Sequence, residues 1–286
     1  MESIEVYLIT GSIFLLAGTV KGIVGFGLPL VSITLLTPLY GLVDAIAVMV
    51  LPAMVTNFWQ ALSGGRFISL WERLRPLYLS GVISTVVATS ALMQIDVQWP
   101  TVLLGCVILA YSLTGLTAWQ PAEPGRRETW LSPVTGVVTG LITGLTGVLV
   151  FPLTIYFQAL NLDRRVLFQA MGIYLLMANV ALALVFGWQG AFPEAVMQLA
   201  LIGIVAGFLG MALGQRIQAH LSAKQFKRVF FCSLAVVGAF ILLGLYFYNR
   251  GSNGAVSWQG VLERLGRVPT SIFRNESARA AGLCGY

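Results

Sequence analysis

Charge is scarce in this chain of 286 residues, where Asp, Glu, Lys and Arg together make up 10%. A soluble domain carries about 25%, so there is too little polar surface to coat a water-soluble globule. That excludes a soluble enzyme, a nucleic-acid binder and a secreted disulfide scaffold. Histidine occurs once, at His220, and cysteine three times, at Cys106, Cys232 and Cys284. No Cys-x-x-Cys, no metal-ligand spacing and no nucleophile–base pair arises from so few residues. Carboxylates are missing from the interior of every apolar run, which removes paired-acid chemistry and gives no reason to expect a catalyst or a cofactor. The glycines make no phosphate loop, because no Gly-Lys-Ser/Thr follows them.

Apolar residues are abundant instead: 57% of the chain is AVILMFWYC, and the mean hydropathy is +0.85. The runs fall near 6–20, 28–40, 43–62, 77–93, 101–118, 132–160, 166–187, 196–214 and 229–248. A spanning helix needs about 20 apolar residues, and continuous runs exclude the alternating pattern of an outer-membrane barrel. The fold class is therefore an all-α polytopic membrane protein in the lipid bilayer. The acidic start, Met1-Glu2-Ser3-Ile4-Glu5, lacks the basic flank of a cleaved signal peptide. The first run is read as retained.

Two runs are interrupted. Residues 6–40 are broken by Lys21-Gly22-Ile23-Val24-Gly25-Phe26-Gly27, and residues 132–160 by Gly136, Gly140, Gly144, Gly147 and Pro152. Each reads as two short helices meeting near mid-membrane. Loop charge orients the remainder. Arg66, Arg73, Arg75, Arg126, Arg127, Arg164, Arg165, Arg216, Lys224, Lys227 and Arg228 fall in alternate loops, whereas the intervening loops carry Asp44, Asp96 and Glu194. The positive-inside rule places the basic loops in the cytoplasm, with no role for nucleic acid in their charge. Segment 132–160 must then enter and return on one side. By analogy the first broken segment does the same, which leaves the N-terminus outside.

An ungapped shift of 122 residues superposes Gly18 on Gly140, Gly22 on Gly144, Gly25 on Gly147, Asn57 on Asn179, Glu72 on Glu194 and Gly81 on Gly203. Each half is then a broken helix-pair element plus three transmembrane helices. The odd number of crossings inverts the second half. The division is 1–118 for the first repeat, 119–131 for a cytoplasmic linker, 132–248 for the second repeat and 249–286 for a basic polar tail. That tail falls outside in this topology although its five Arg favour the cytoplasm. Inverted repeats with matching interruptions are the pattern of secondary transporters, whose substrates bind at the breaks.

Lys21 is the single charge embedded in an apolar run, and an ionisable group at that depth is a functional candidate by default. Its plain alternative is snorkelling along its own stem. Gly18, Gly22, Gly136, Gly140 and Gly144 have the small-xxx-small spacing that helix packing alone explains. Packing does not explain Gly25-Phe26-Gly27 before Pro29, or Gly147 before Pro152, where a break followed by proline frees backbone N–H groups for an anion. The candidate substrate-binding set is Lys21, Gly22, Gly25, Phe26, Gly27 and Asn57, with Thr143, Gly144, Thr146, Gly147, Gln169 and Asn179 in the second half. The two Asn fit either substrate binding or backbone latching. Glu72 and Glu194 read as solvated loop residues.

Gly18-x₃-Gly22-x₂-Gly25-Phe26-Gly27-x-Pro29, the downstream Asn57 and the weaker second copy at 140–152 resemble the TauE/SafE sulfite exporter family of membrane permeases, over about residues 8–248. The second copy departs from the family's richer glycine cluster at Gly147-Val148-Leu149-Val150. The resemblance implies a multi-pass permease of the bacterial inner membrane for a small sulfur-containing anion such as sulfite, a sulfonate or sulfoacetate. Alternating access, a passive anion channel and an intramembrane lipid enzyme are the readings in order of support. The sequence leaves the coupling ion (H⁺ or Na⁺) and a homodimer open as partners.

Overall fold

The computed structural model describes residues 2–117, 121–218, 230–232 and 234–243, and the regular structure within them is helical. The start of the linker, the basic loop at Lys224–Arg228, His220 and the tail 249–286 lie outside the described residues. The helices are α1 (Glu2–Val24), α2 (Leu28–Tyr40), α3 (Leu42–Leu62), α4 (Phe67–Leu92), α5 (Gln98–Thr117), α6 (Glu128–Thr146), α7 (Leu153–Ala159), α8 (Arg164–Trp188) and α9 (Glu194–Gln218). A further apolar helix, α10, covers Phe230–Leu243. Five of these, α1, α3, α5, α8 and α9, are long and apolar enough to cross a membrane.

The surface and interior have exchanged their usual character. Leu8, Leu16, Trp59, Ile83, Leu113, Leu184 and Leu209 are exposed, while Thr10, Ser32, Asn57, Gln60, Thr85, Thr143 and Asn179 are buried. In hydrocarbon this is the stable arrangement, since lipid solvates the apolar rim and the buried polar groups bond either to a carbonyl of their own helix, as Ser32, Thr85 and Asn179 do, or across to a neighbouring helix, as Thr10 and Gln60 do.

The interruptions differ from two short helices meeting at mid-membrane. α1 runs unbroken for 23 residues and α6 for 19, while their second members, α2 and α7, have 13 and 7. At 1.5 Å per residue, α1 is about 34 Å long, a full span by itself. The reason lies in which glycines leave the helix. Gly18, Gly22, Gly136, Gly140 and Gly144 stay helical. Among the glycines of the two interruptions, Gly25 (φ 94°), Gly27 (φ 112°) and Gly147 (φ 71°) take the left-handed conformation that a Cβ opposes.

A second difference concerns charge. Glu72, Arg73 and Arg75 lie in the opening turns of α4 rather than in a loop, Arg164, Arg165 and Glu194 open α8 and α9, and Arg216 closes α9. An apolar run marks the stretch inside hydrocarbon, but backbone hydrogen bonding carries the helix past it into water. Glu72 and Glu194 are accordingly exposed.

The helical glycines set the packing. α1 runs parallel to α9, with Gly18 on the Gly207 backbone and Gly22 on Met211 and Gly214. α6 runs parallel to α4, with Gly140 on Gly81 and Ser84, and Gly144 on Thr85 and Ala88. The equivalence is close, since the shift of 122 converts the contact 18–207 into 140–85. α5 and α10 run antiparallel, pairing Gly105 with Leu242 and Gly115 with Phe231. At the centre α3 meets α8 through reciprocal amides: Gln60 Nε2 donates to the Phe168 carbonyl and Gln169 Nε2 to the Ala61 carbonyl, each at 2.9 Å.

Side-chain bonds define two ends. At one, Arg73 holds Glu128 in a two-bond ion pair (2.7 and 2.9 Å), Asn161 donates to Glu123 (3.0 Å), and the Arg66 N–H donates to Gln169 (3.0 Å). At the other, Tyr7 donates to Gln198 (2.5 Å) and Thr10 bonds Tyr40 (2.6 Å). The loops after α3, before α6 and after α7 therefore share an end, opposite the start of α1.

Candidate functional site

Lys21 occupies the last turn of α1, and its carbonyl accepts the N–H of Gly25 at 2.7 Å just before the chain breaks. The side chain is 2% exposed and crosses to α3. There Nζ donates to Thr56 Oγ1 at 3.1 Å and to Asn57 Oδ1. Thr56 can accept because its own proton is directed at the Pro52 carbonyl, 2.9 Å away. Asn57 Nδ2 is buried without a hydrogen-bond partner. No carboxylate lies within ion-pair distance of Lys21 among the described residues. A buried cation held only by neutral acceptors is costly, and a bound anion would offset that cost using Nζ and Asn57 Nδ2 together.

A cleft of about 1560 Å³ reaches this point. Gly22, Gly25, Phe26 and Lys21 line its inner part, with Phe168 and Met171 of α8, Thr154 and Gln158 of α7, and Tyr111 of α5. The exposed residues Glu123, Asn161 and Arg165 line it as well, so it opens at the end that gathers the Arg-bearing loops.

Of the residues singled out from sequence, Lys21, Gly22, Gly25 and Phe26 line the cleft, and Asn57 stands behind Lys21. Gly27 caps α2, whose first residues Leu28 and Pro29 are buried. Gln169 ties α8 to the 61–66 turn. The other second-half residues do not line the cleft. Thr143 Oγ1 donates to the Val148 carbonyl (3.2 Å), and Thr146 Oγ1 donates to the Ile142 carbonyl (2.7 Å) and accepts from the Val148 N–H (3.2 Å). Gly147 lies under Ile33 and Ile46, and Gly144 is pressed on α4. Asn179 Nδ2 donates to the Leu175 carbonyl at 2.6 Å.

Sequence reasoning missed Thr56 and Phe168. Thr56 precedes Asn57, but its counterpart at the shift of 122 is Ala178, so the repeat does not point to it. Phe168 carries no sequence signal. Its ring fills the space beside Gly25, where an added Cβ would lie 2.9 Å from Cδ2.

A family model described as sulfite exporter TauE/SafE matches residues 11–241. No curated protein and no solved structure matches the chain. The matched region holds both breaks, Lys21, Asn57, four of the five helices of spanning length and most of the fifth, and the match covers most of the chain, which belongs to the TauE/SafE sulfite exporter family of multi-pass membrane permeases.

Proposed function

We propose that the protein is a secondary transporter that moves a small sulfur-containing anion, of the sulfite, sulfonate or sulfoacetate class, across the bacterial inner membrane by alternating access. The observation that carries this reading is Lys21: buried, without a carboxylate partner among the described residues, and placed where a cleft open at one end meets a helix break. The anion sits between Lys21 Nζ and Asn57 Nδ2, and the broken backbone at Gly25–Gly27 gives the surrounding helix the freedom to rearrange.

The mechanism follows from two inverted repeats, residues 1–118 and 132–248, joined by the linker 119–131. Several features support it. Equivalent helices α5 and α10 run antiparallel. α1 begins at the end opposite the ion pair in which α6 begins. α1 packs on the second half's α9 just as α6 packs on the first half's α4. Rocking about such an axis exchanges the environments of the two breaks. A passive channel is disfavoured by the second break, where Val148, Leu149 and Val150 are fully buried and Gly147 lies against Ile33 and Ile46. An intramembrane enzyme has no nucleophile–base pair in the sequence to use. The positive-inside rule sets the open end of the cleft in the cytoplasm and the N-terminus in the periplasm. The bilayer is the obligatory partner; a homodimer fits this reading without being required by it.

Protein reconstituted in vesicles and preloaded with unlabelled sulfite should take up radiolabelled sulfite by saturable counterflow, with no single-channel conductance in planar bilayers. Conductance without counterflow would make it a pore. For orientation, reporter fusions at residues 68, 122, 163 and 222 should read as cytoplasmic and those at 97 and 190 as periplasmic. Opposite faces for 122 and 163 would refute the returning segment and the inversion with it.

A further inference from the structure

The two halves present their equivalent asparagines with opposite polarity. Asn57 Oδ1 is taken by the Lys21 ammonium, which fixes the amide orientation and leaves Nδ2 without a partner. Asn179 donates Nδ2 to the Leu175 carbonyl at 2.6 Å, which fixes the reverse orientation and leaves Oδ1 fully buried without a partner. A flipped amide would set oxygen against oxygen at Leu175, so the acceptor is the group presented. An acceptor left unsatisfied in the interior carries the full desolvation penalty.

The residue at Lys21's place in the second half is Thr143. Its hydroxyl stops well short of where a lysine ammonium would reach. Its proton is directed at the Val148 carbonyl, which leaves the oxygen's lone pair beside the buried Tyr174 hydroxyl of α8. α6 and α8, which carry Thr143 and Asn179, are in contact, and both residues are fully buried.

We propose that the second half binds a monovalent cation, Na⁺, in the position equivalent to the Lys21 ammonium, with Asn179 Oδ1 and Thr143 Oγ1 as ligands. The first half then carries the anion on a fixed positive charge, and the second half carries a diffusible positive charge in the same pseudo-equivalent place. Neutral oxygen ligands without a carboxylate select a monovalent ion over Ca²⁺ or Mg²⁺, which are bound through carboxylates. An amide and a hydroxyl also offer no basic site for a proton. The role of this ion as the coupling ion rests on the transporter reading; its binding does not.

The test is thermal unfolding of the purified full chain with NaCl titrated against choline chloride at constant ionic strength. A ligand that binds the native state raises the midpoint by mass action, so a saturable rise with Na⁺ and none with choline is expected. Thr143→Val and Asn179→Leu should each lose the rise, and Thr34→Val, at a buried α2 hydroxyl bonded to the Leu30 carbonyl of its own helix, should keep it. Thr143→Lys should stand at the high midpoint without Na⁺ and respond to none, because its ammonium fills the site. This last gain keeps the test decisive if Asn179→Leu fails to fold. Equal midpoints in Na⁺ and choline for the unmodified protein, or a full Na⁺ response in both Thr143 variants, would overturn the proposal. Sulfite titrated in both buffers separates the two readings: a sulfite response without a Na⁺ response overturns the cation site alone, and a Na⁺ response with no sulfite response in either buffer overturns the anion site alone.

Discussion

Replacing Lys21 with methionine should weaken sulfite binding by about ten- to hundredfold. Methionine keeps an unbranched, largely apolar stem and removes only the ammonium. A charge-assisted hydrogen bond and the desolvation around it contribute about 1.5–3 kcal/mol, which converts to that loss of affinity. Asn57 Oδ1 loses its donor at the same time, since Lys21 Nζ is the hydrogen-bond partner it has. Lys21→Arg should retain part of the affinity, because the charge stays while the fork geometry no longer fits a site shaped around one nitrogen. Stability should move the other way or not at all: Lys21→Met removes a buried cation that no carboxylate compensates among the described residues. Thermal shift and counterflow on the same purified variant check both halves of this expectation. Unchanged sulfite affinity at normal stability would mean that Lys21 only ties α1 to α3.

The second large effect is on folding. Gly18→Ala and Gly140→Ala should each destabilise the protein by about 1–3 kcal/mol or more, the range for forcing a methyl group into a filled interior. A Cβ at Gly18 would enter the Gly207 carbonyl, and one at Gly140 would enter the Gly81 carbonyl and the Ser84 hydroxyl. Backbone cannot swing aside as a side-chain tip can, so α1 and α9, or α6 and α4, would have to separate. The contrast is Gly207→Ala, whose added Cβ meets only Leu28 Cδ1 at 3.3 Å. It should be tolerated nearly unchanged although it faces the same crossing. Unfolding midpoints of the three purified variants decide the matter, and equal midpoints for all three would remove the close parallel contact.

Lys21 and the glycine pattern were legible because the bilayer makes them expensive or unusual wherever they occur. A cation within a long apolar run needs a reason in any fold. Glycines at a spacing of four on a helix bring backbones together in any helical membrane protein. Phe168 and Thr56 were not legible, because a phenylalanine among apolar residues and a threonine in a helix are ordinary on their own. Their significance comes from what faces them across a gap of more than a hundred residues for Phe168 and Gly25, and of 35 for Thr56 and Lys21.

The sequence by itself determined the all-helical class, the place of the chain's broken segments, the family, and the register of 122 residues that superposes matching glycines and asparagines. Each of these depends on periodic or additive properties of neighbouring residues: hydropathy summed over a run, charge summed over a loop, one register held along the chain. Tertiary structure decided which glycines break the helix and which pack it: Gly22 stays helical against the Met211 carbonyl and Gly214, whereas Gly25 turns left-handed against the Phe168 ring. It also decided that the two halves are unlike at their centres. The shift of 122 pairs Asn57 with Asn179, but the direction of each amide depends on its neighbour in space, the Lys21 ammonium for one and the Leu175 carbonyl for the other. Hydrogen bonding is directional and set by the partner, so two identical residues at equivalent positions present opposite chemistry.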